Sequence, residues 1–283
     1  MPVAWSFHKP DSFSEEHMLL WEDLLEKRTG IQLASSQQIF LQAQVASRMR
    51  ELGIENHHQY LDHVLDDMTG LVEWQILVDR LVVKETAFFR NRPSLELVRQ
   101  YIREQLNHRS GTVGIWSVGC STGEEPYSLA AIANDCYQEA GIKPYFGVIG
   151  TDVSLSALST ARAGKYGRRS LILLEEEERR KYFYSCGNNH YQIKDNIKKR
   201  VCFSQVNILD LKHKPTEFMD VIHCQNVLVY FRRWRRRQIL GHLVGHLKPL
   251  GILIIGSGEI TQWKHERMER IASDKVQAYV KHS

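Results

Sequence analysis

The sequence has little that would mark a chain for a membrane, an oxidising compartment or a metal. No stretch approaches the ~18–20 apolar residues of a membrane span. No basic segment leads into an apolar run near the start, so neither membrane insertion nor a secretion signal is expected. The cysteines, Cys120, Cys136, Cys186, Cys202 and Cys224, form no CxxC pair. That pattern reads as reduced thiols in a cytoplasmic protein. Charge of one sign is scarce as well: 37 Lys+Arg against 33 Asp+Glu leave +4, too little to argue for nucleic acid. Repeats and low-complexity tracts are missing, and a 43% hydrophobic, 25% charged composition excludes disorder for most of the chain.

What is present is unevenly placed. Residues 1–92 carry 9 Lys+Arg and 14 Asp+Glu, a net of −5, whereas residues 93–283 carry 28 and 19, a net of +9. An acidic front and a basic back point to two units. The front has no convincing strand. Met18, Leu19, Trp21, Leu24 and Leu25 recur at helical spacing up to Gly30; further helical stretches run over 39–52, around 60–65 and over 71–83. The back alternates. Apolar runs at 113–118, 145–150, 200–206, 220–224 and 252–256 are separated by helix-like stretches at 126–140, 154–163 and 234–247, and 275–281 has the texture of a last strand. Such alternation predicts an α/β domain with a mainly parallel sheet. Lys248–Pro249–Leu250–Gly251 reads as a turn, and Gly187–Asn188–Asn189 between two β-prone runs reads as a hairpin insertion.

The turn after the first run is Gly119–Cys120–Ser121–Thr122–Gly123–Glu124–Glu125. Its G-x-x-x-G spacing is not the G-x-G-x-x-G of pyrophosphate binders. Glu124 and Glu125 would repel phosphate and suit a positively charged amine or sulfonium, which points to S-adenosylmethionine. Asp152, ending the second run, is placed to accept bonds from ribose hydroxyls. Two glycines and a helix-capping acid could equally shape an ordinary turn; the combination with Asp152 favours a ligand.

Several strings resemble the CheR-type methyltransferases of chemotaxis receptors. They are Glu85–Thr86–Ala87–Phe88–Phe89–Arg90, Ser121–Thr122–Gly123–Glu124–Glu125–Pro126–Tyr127–Ser128, Gly150–Thr151–Asp152–Val153, Asn207–Ile208–Leu209–Asp210 and Gln225–Asn226–Val227–Leu228–Val229–Tyr230–Phe231. The resemblance implies a helical receptor-docking domain over 14–84 and a linker over 85–95. It implies a Rossmann-like S-adenosylmethionine-dependent domain over 96–283, with an antiparallel β-subdomain inserted around 180–200. The implied activity is methylation of glutamate side chains on the cytoplasmic helices of methyl-accepting receptors. By position, Thr86, Arg90, Gly119, Glu124, Glu125, Asp152, Asn207, Ile208, Gln225 and Asn226 would contact the cofactor. Arg90 and Tyr230 would stand at the reacting groups. A monomer is expected, and nucleic acid is not expected as a partner.

A glutamate carboxylate is already ionised near neutral pH, so accepting a methyl group needs neither a general base nor a metal. Positioning and electrostatics suffice. Arg90 suits a guide for that carboxylate. A surface ion pair for Arg90 and a core position for Tyr230 are the bland alternatives. His242 and His246 read as solvent-facing, Phe88 and Phe89 as packing residues, and the Arg232–Arg237 run as a rim for an acidic substrate.

Three features depart from the family pattern. The helix that the resemblance makes arginine-rich keeps only Arg48 and Arg50. Lys84 and Gln225 stand where the family has Asn and Arg, which raises the idea of a charge swapped across the site. The 187–189 turn is short, so capture of a receptor's C-terminal tether peptide is not expected. The rival functions are a methyltransferase for a small molecule or nucleic acid, and a non-catalytic S-adenosylmethionine-binding signalling module.

Overall fold

The structure, a computed structural model, describes residues 13–108, 112–213 and 219–282. The chain divides into two compact units between Val83 and Lys84. In the first, α1 (Glu15–Thr29) starts at a Ser14 cap and stops at Gly30, whose φ of 77° only glycine adopts freely. α2 (Gln38–Leu52), α3 (His57–Leu65, capped by Asn56) and α4 (Gly70–Leu81) follow. Trp21, Leu25, Leu41, Val45, Tyr60 and Leu77 build a core of their own.

One charged knot lies inside this unit. Arg48 is only 9% exposed and grips Glu73 through Nε at 2.8 Å and through Nη2; its Nη1 reaches Glu51. Tyr60 donates its hydroxyl to Glu73 at 2.6 Å. Burial pushes the Glu73 carboxyl up, but the Arg48 and Tyr60 bonds outweigh it and hold the carboxyl below its ordinary range. Of the two bases left in α2, one is therefore spent internally.

The second unit opens with α5 (Arg92–His108), which the sequence reading passed over. Then come β1 (Val113–Val118), α6 (Glu124–Glu139), β2 (Phe146–Asp152) and α7 (Leu155–Ala163). A small group follows: β3 (Lys165–Gly167), α8 (Glu176–Tyr182), β4 (Phe183–Ser185), β5 (His190–Ile193) and α9 (Asp195–Lys198). The chain returns through β6 (Val201–Gln205), β7 (Met219–Cys224), α10 (Arg233–His246), β8 (Leu247–Ile255), β9 (Met268–Arg270) and β10 (Gln277–Lys281).

The main sheet runs β6-β2-β1-β7-β8-β10-β9. Its first five strands are parallel, and β10 and β9 are antiparallel additions at one edge. The strand order reverses at β1, which pairs with β2 on one side and β7 on the other. A ligand crevice opens at such a reversal, at the carboxyl ends of the strands. The separate sheet β3-β5-β4 contains the foreseen hairpin plus β3, which was not foreseen.

Two expectations are corrected. Lys248–Gly251 is not a free turn but part of β8; the turn chemistry survives as a φ of 63° at Leu250 and a register shift opposite Met219 and Val221. His246 does not face solvent. It is 6% exposed and meets the Trp116 ring edge-on at 5.2 Å, because it lies on the face that α10 lays on the sheet.

Candidate active site

The loop after β1 is shaped for close approach. Gly119 has φ 67°, and a Cβ there would meet Val227 Cγ2 at 2.5 Å, so the loops after β1 and β7 touch at this point. Asp152, at the end of β2, holds the same loop: Oδ2 accepts the Ser121 N–H at 2.8 Å and Oδ1 the Ser154 N–H at 2.9 Å. Beside it, Asn207 and Ile208 follow β6 and are half-buried, and Val206 donates to the Asp152 carbonyl at 3.0 Å.

The two glutamates have separate surroundings. Glu124 is 2% exposed and accepts the Thr122 hydroxyl at 2.6 Å and the Ser170 hydroxyl at 2.9 Å; burial pushes its pKa up. It secures the loop to the 168–171 turn. Glu125 is half-buried over the strand ends, taking the Ser117 hydroxyl at 2.7 Å with His223 Nδ1 3.0 Å away. Behind it runs a polar chain that the sequence reading missed. His223 Nε2 lies 3.0 Å from the Ser94 hydroxyl, which is 3.3 Å from Gln225 Oε1, and Gln225 donates to the Ile255 carbonyl at 3.3 Å. A histidine inside the apolar run 220–224 was the available signal, since a buried polar group demands partners.

Asn226 is exposed with φ 59°, at the mouth of the β1/β7 crevice. Tyr230 is half-buried in the next turn. Burial pushes its hydroxyl pKa up, and the positive charge of Arg90 pulls against that rise. Arg90 is exposed; it donates to the Glu85 carbonyl at 3.2 Å and makes no ion pair among the described residues. The preceding residues anchor it. Phe88 packs edge-on to Tyr166 and Phe183, and its N–H bonds the Ser170 carbonyl at 3.0 Å. Phe89 takes φ 54°, donates its N–H to the Ser128 hydroxyl at 3.0 Å and stacks on Tyr182. Thr86 is half-buried. Lys84 reaches Ser156 at 2.8 Å and shares no partner with Gln225, so the contacts lend nothing to a charge swap between them.

Glu259 lies in the loop after β8. It is 2% exposed, and Gly256 donates to its carboxylate at 3.0 Å. Burial pushes its pKa up, against backbone N–H groups of Gly256, Val229 and Val227 that pull it down.

The "CheR methyltransferase, SAM binding domain" family model matches residues 84–277, and the "CheR methyltransferase, all-alpha domain" model matches residues 16–82. The chain belongs to the CheR methyltransferase family. It is 32% identical over 246 residues to chemotaxis protein methyltransferase 1 of Pseudomonas aeruginosa, covering 85% of this chain and 88% of that one. To the chemotaxis protein methyltransferase of Salmonella typhimurium it is 30% identical, covering 88% and 85%. To that of Borreliella burgdorferi it is 28% identical, covering 81% and 83%.

The cofactor of this CheR-family chain is S-adenosylmethionine, and the residues present fit it. The loop 117–126 contains no Lys, Arg or His, a donor set hostile to phosphate and compatible with a sulfonium. Asp152 puts a carboxylate at the end of β2, beside the exposed backbone of Gly119. When bound, the cofactor supplies an electrophilic methyl group on positively charged sulfur. Of the cysteines, Cys120 and Cys224 lie in this domain's interior, and burial pushes their thiols well above their ordinary value, so neither is a ready nucleophile.

Proposed function

We propose that this methyltransferase esterifies glutamate side chains on the cytoplasmic helices of methyl-accepting receptors, acting in the cytoplasm. The observation that carries this reading is an exposed guanidinium, Arg90, that makes no ion pair among the described residues and whose positive charge acts on the Tyr230 hydroxyl. A guanidinium fork matches a carboxylate and favours its ionised form. Arg90 would hold the acceptor, Tyr230 would orient it, and Glu125 with Asp152 would keep the cofactor end of the crevice negative. The carboxylate oxygen gains the methyl group, and the electron pair of the broken bond stays on sulfur. No proton moves, so none of these residues needs to act as a base.

The test is incubation with methyl-labelled cofactor and receptor cytoplasmic fragments. Base-labile label on receptor glutamates is the expected result. Arg90→Gln should raise KM for the fragment or lower kcat at least tenfold, while S-adenosylhomocysteine affinity changes much less. Label on nucleic acid or small molecules instead, with receptor fragments unmodified, would overturn the proposal.

A further inference from the structure

The first turns of α10 break an electrostatic rule. Helix N-termini carry partial positive charge and favour acids. α10 instead begins Arg233–Trp234–Arg235–Arg236–Arg237, after Arg232 at the cap, with no acid in its first turn and no side-chain cap. The fold uses one of these arginines for itself. Arg236 donates to the Phe231 carbonyl at 2.7 Å, the Val229 carbonyl at 3.3 Å and the Glu259 carbonyl at 2.5 Å. It ties the turn that carries Tyr230 to the loop after β8. Arg235 lies over the Trp234 ring at 4.2 Å.

Arg233 and Arg237 are left over. They are exposed, one helical turn apart, and neither side chain has a hydrogen bond or ion pair among the described residues. With Arg236 and the 258–261 loop they line a cleft of about 110 Å³, well above the ~10–15 Å³ that one water needs. Glu259 in its wall does not neutralise them, since its carboxylate is buried against the Gly256 N–H. Next to the cleft, Trp234 and Val229 are 56% and 48% exposed, a rim suited to the apolar face of a helix.

We propose that this cleft is a carboxylate subsite: Arg233 and Arg237 take a second acidic side chain of the same helix that presents the reacting glutamate. The proposal rests on the glutamate-methylation function above. The cleft follows Tyr230 directly in the chain and is bonded to its turn through Arg236, so its occupant belongs to the molecule being methylated. An anion would relieve the repulsion of Arg233 and Arg237 with each other and with the helix dipole, since neither side chain has an ion-pair partner among the described residues.

The test is the double variant Arg233→Gln/Arg237→Gln in the full chain, assayed on a receptor fragment that the wild type methylates. KM for the fragment should rise at least tenfold, with kcat within about twofold and S-adenosylhomocysteine affinity unchanged. Arg233→Lys/Arg237→Lys should recover most of the loss. Unchanged KM overturns the subsite. Binding of a poly-glutamate peptide, read from tryptophan fluorescence, judges the cleft apart from turnover. Weakened binding in the double variant supports the cleft even if no fragment is methylated; equal binding overturns it. A loss confined to a labelled oligonucleotide also overturns it and assigns the cleft to nucleic acid.

Discussion

Adjacent residues of identical chemistry, Glu124 and Glu125, were indistinguishable in the sequence, and the fold separates them. Glu125 stays at the strand ends beside His223, while Glu124 is sealed between the Thr122 and Ser170 hydroxyls. The helical turn decides this, because neighbours in a helix point about 100° apart. Gly119 and Asp152 were legible because each answers a local demand, a positive φ and a strand-end acceptor. Ser94 was not, since its partners His223 and Gln225 lie far along the chain. The burial of Glu124 has a pH signature. Its carboxyl is raised from 4.5, so the folded state holds this proton more tightly than the unfolded chain. Stability is then lost as pH rises from about 4.5 through the raised value. Glu124→Gln removes that loss. Urea midpoints measured from pH 4 to 8 should show the variant gaining on the wild type as pH rises, and a pH-independent difference would contradict this.

At the level of elements, those with internal signals were readable. α1 and α2 end at glycines with positive φ, and the parallel strands announced themselves as apolar runs between helices. α5 was missed because its buried Leu95, Val98 and Ile102 are a narrow stripe among charged residues. β3 and β9 have three residues each and exist through their partners, β5 and β10, so no local pattern specifies them. The small sheet illustrates what short elements can support. β4 is an edge of three residues, and the turn to β5 runs through Gly187, Asn188 and Asn189, all with positive φ. An extended peptide added there would find few backbone groups to bond. A receptor's C-terminal peptide should therefore show no saturation up to ~1 mM in a calorimetric titration, a free energy weaker than about −4 kcal/mol. Micromolar binding would refute this.

Across the whole molecule, the charge split acquires a physical meaning once internal pairs are set aside. Part of the acidic excess of the first unit faces inward, at Glu73, and one of its few bases is held there with it. The basic excess of the second unit includes a row on α10 that is only partly used by the fold. The two units also keep separate cores, so damage to one core should be readable by itself. Arg48→Gln strands Glu73 in a site where its side chain is 4% exposed. Removing one partner of a buried pair costs about 3–5 kcal/mol. Because the pair holds the Glu73 pKa below its ordinary 4.5, its contribution is present at neutral pH and fades as pH falls below that value. Amide exchange in α2 and α4 should thus speed up markedly at pH 7 in the variant, with the difference shrinking towards pH 3. The dissociation constant for S-adenosylhomocysteine should move less than about twofold. Unchanged exchange in α2 would show that the Arg48–Glu73 pair does not hold this unit together. A large loss of cofactor affinity would show instead that the first core supports the crevice.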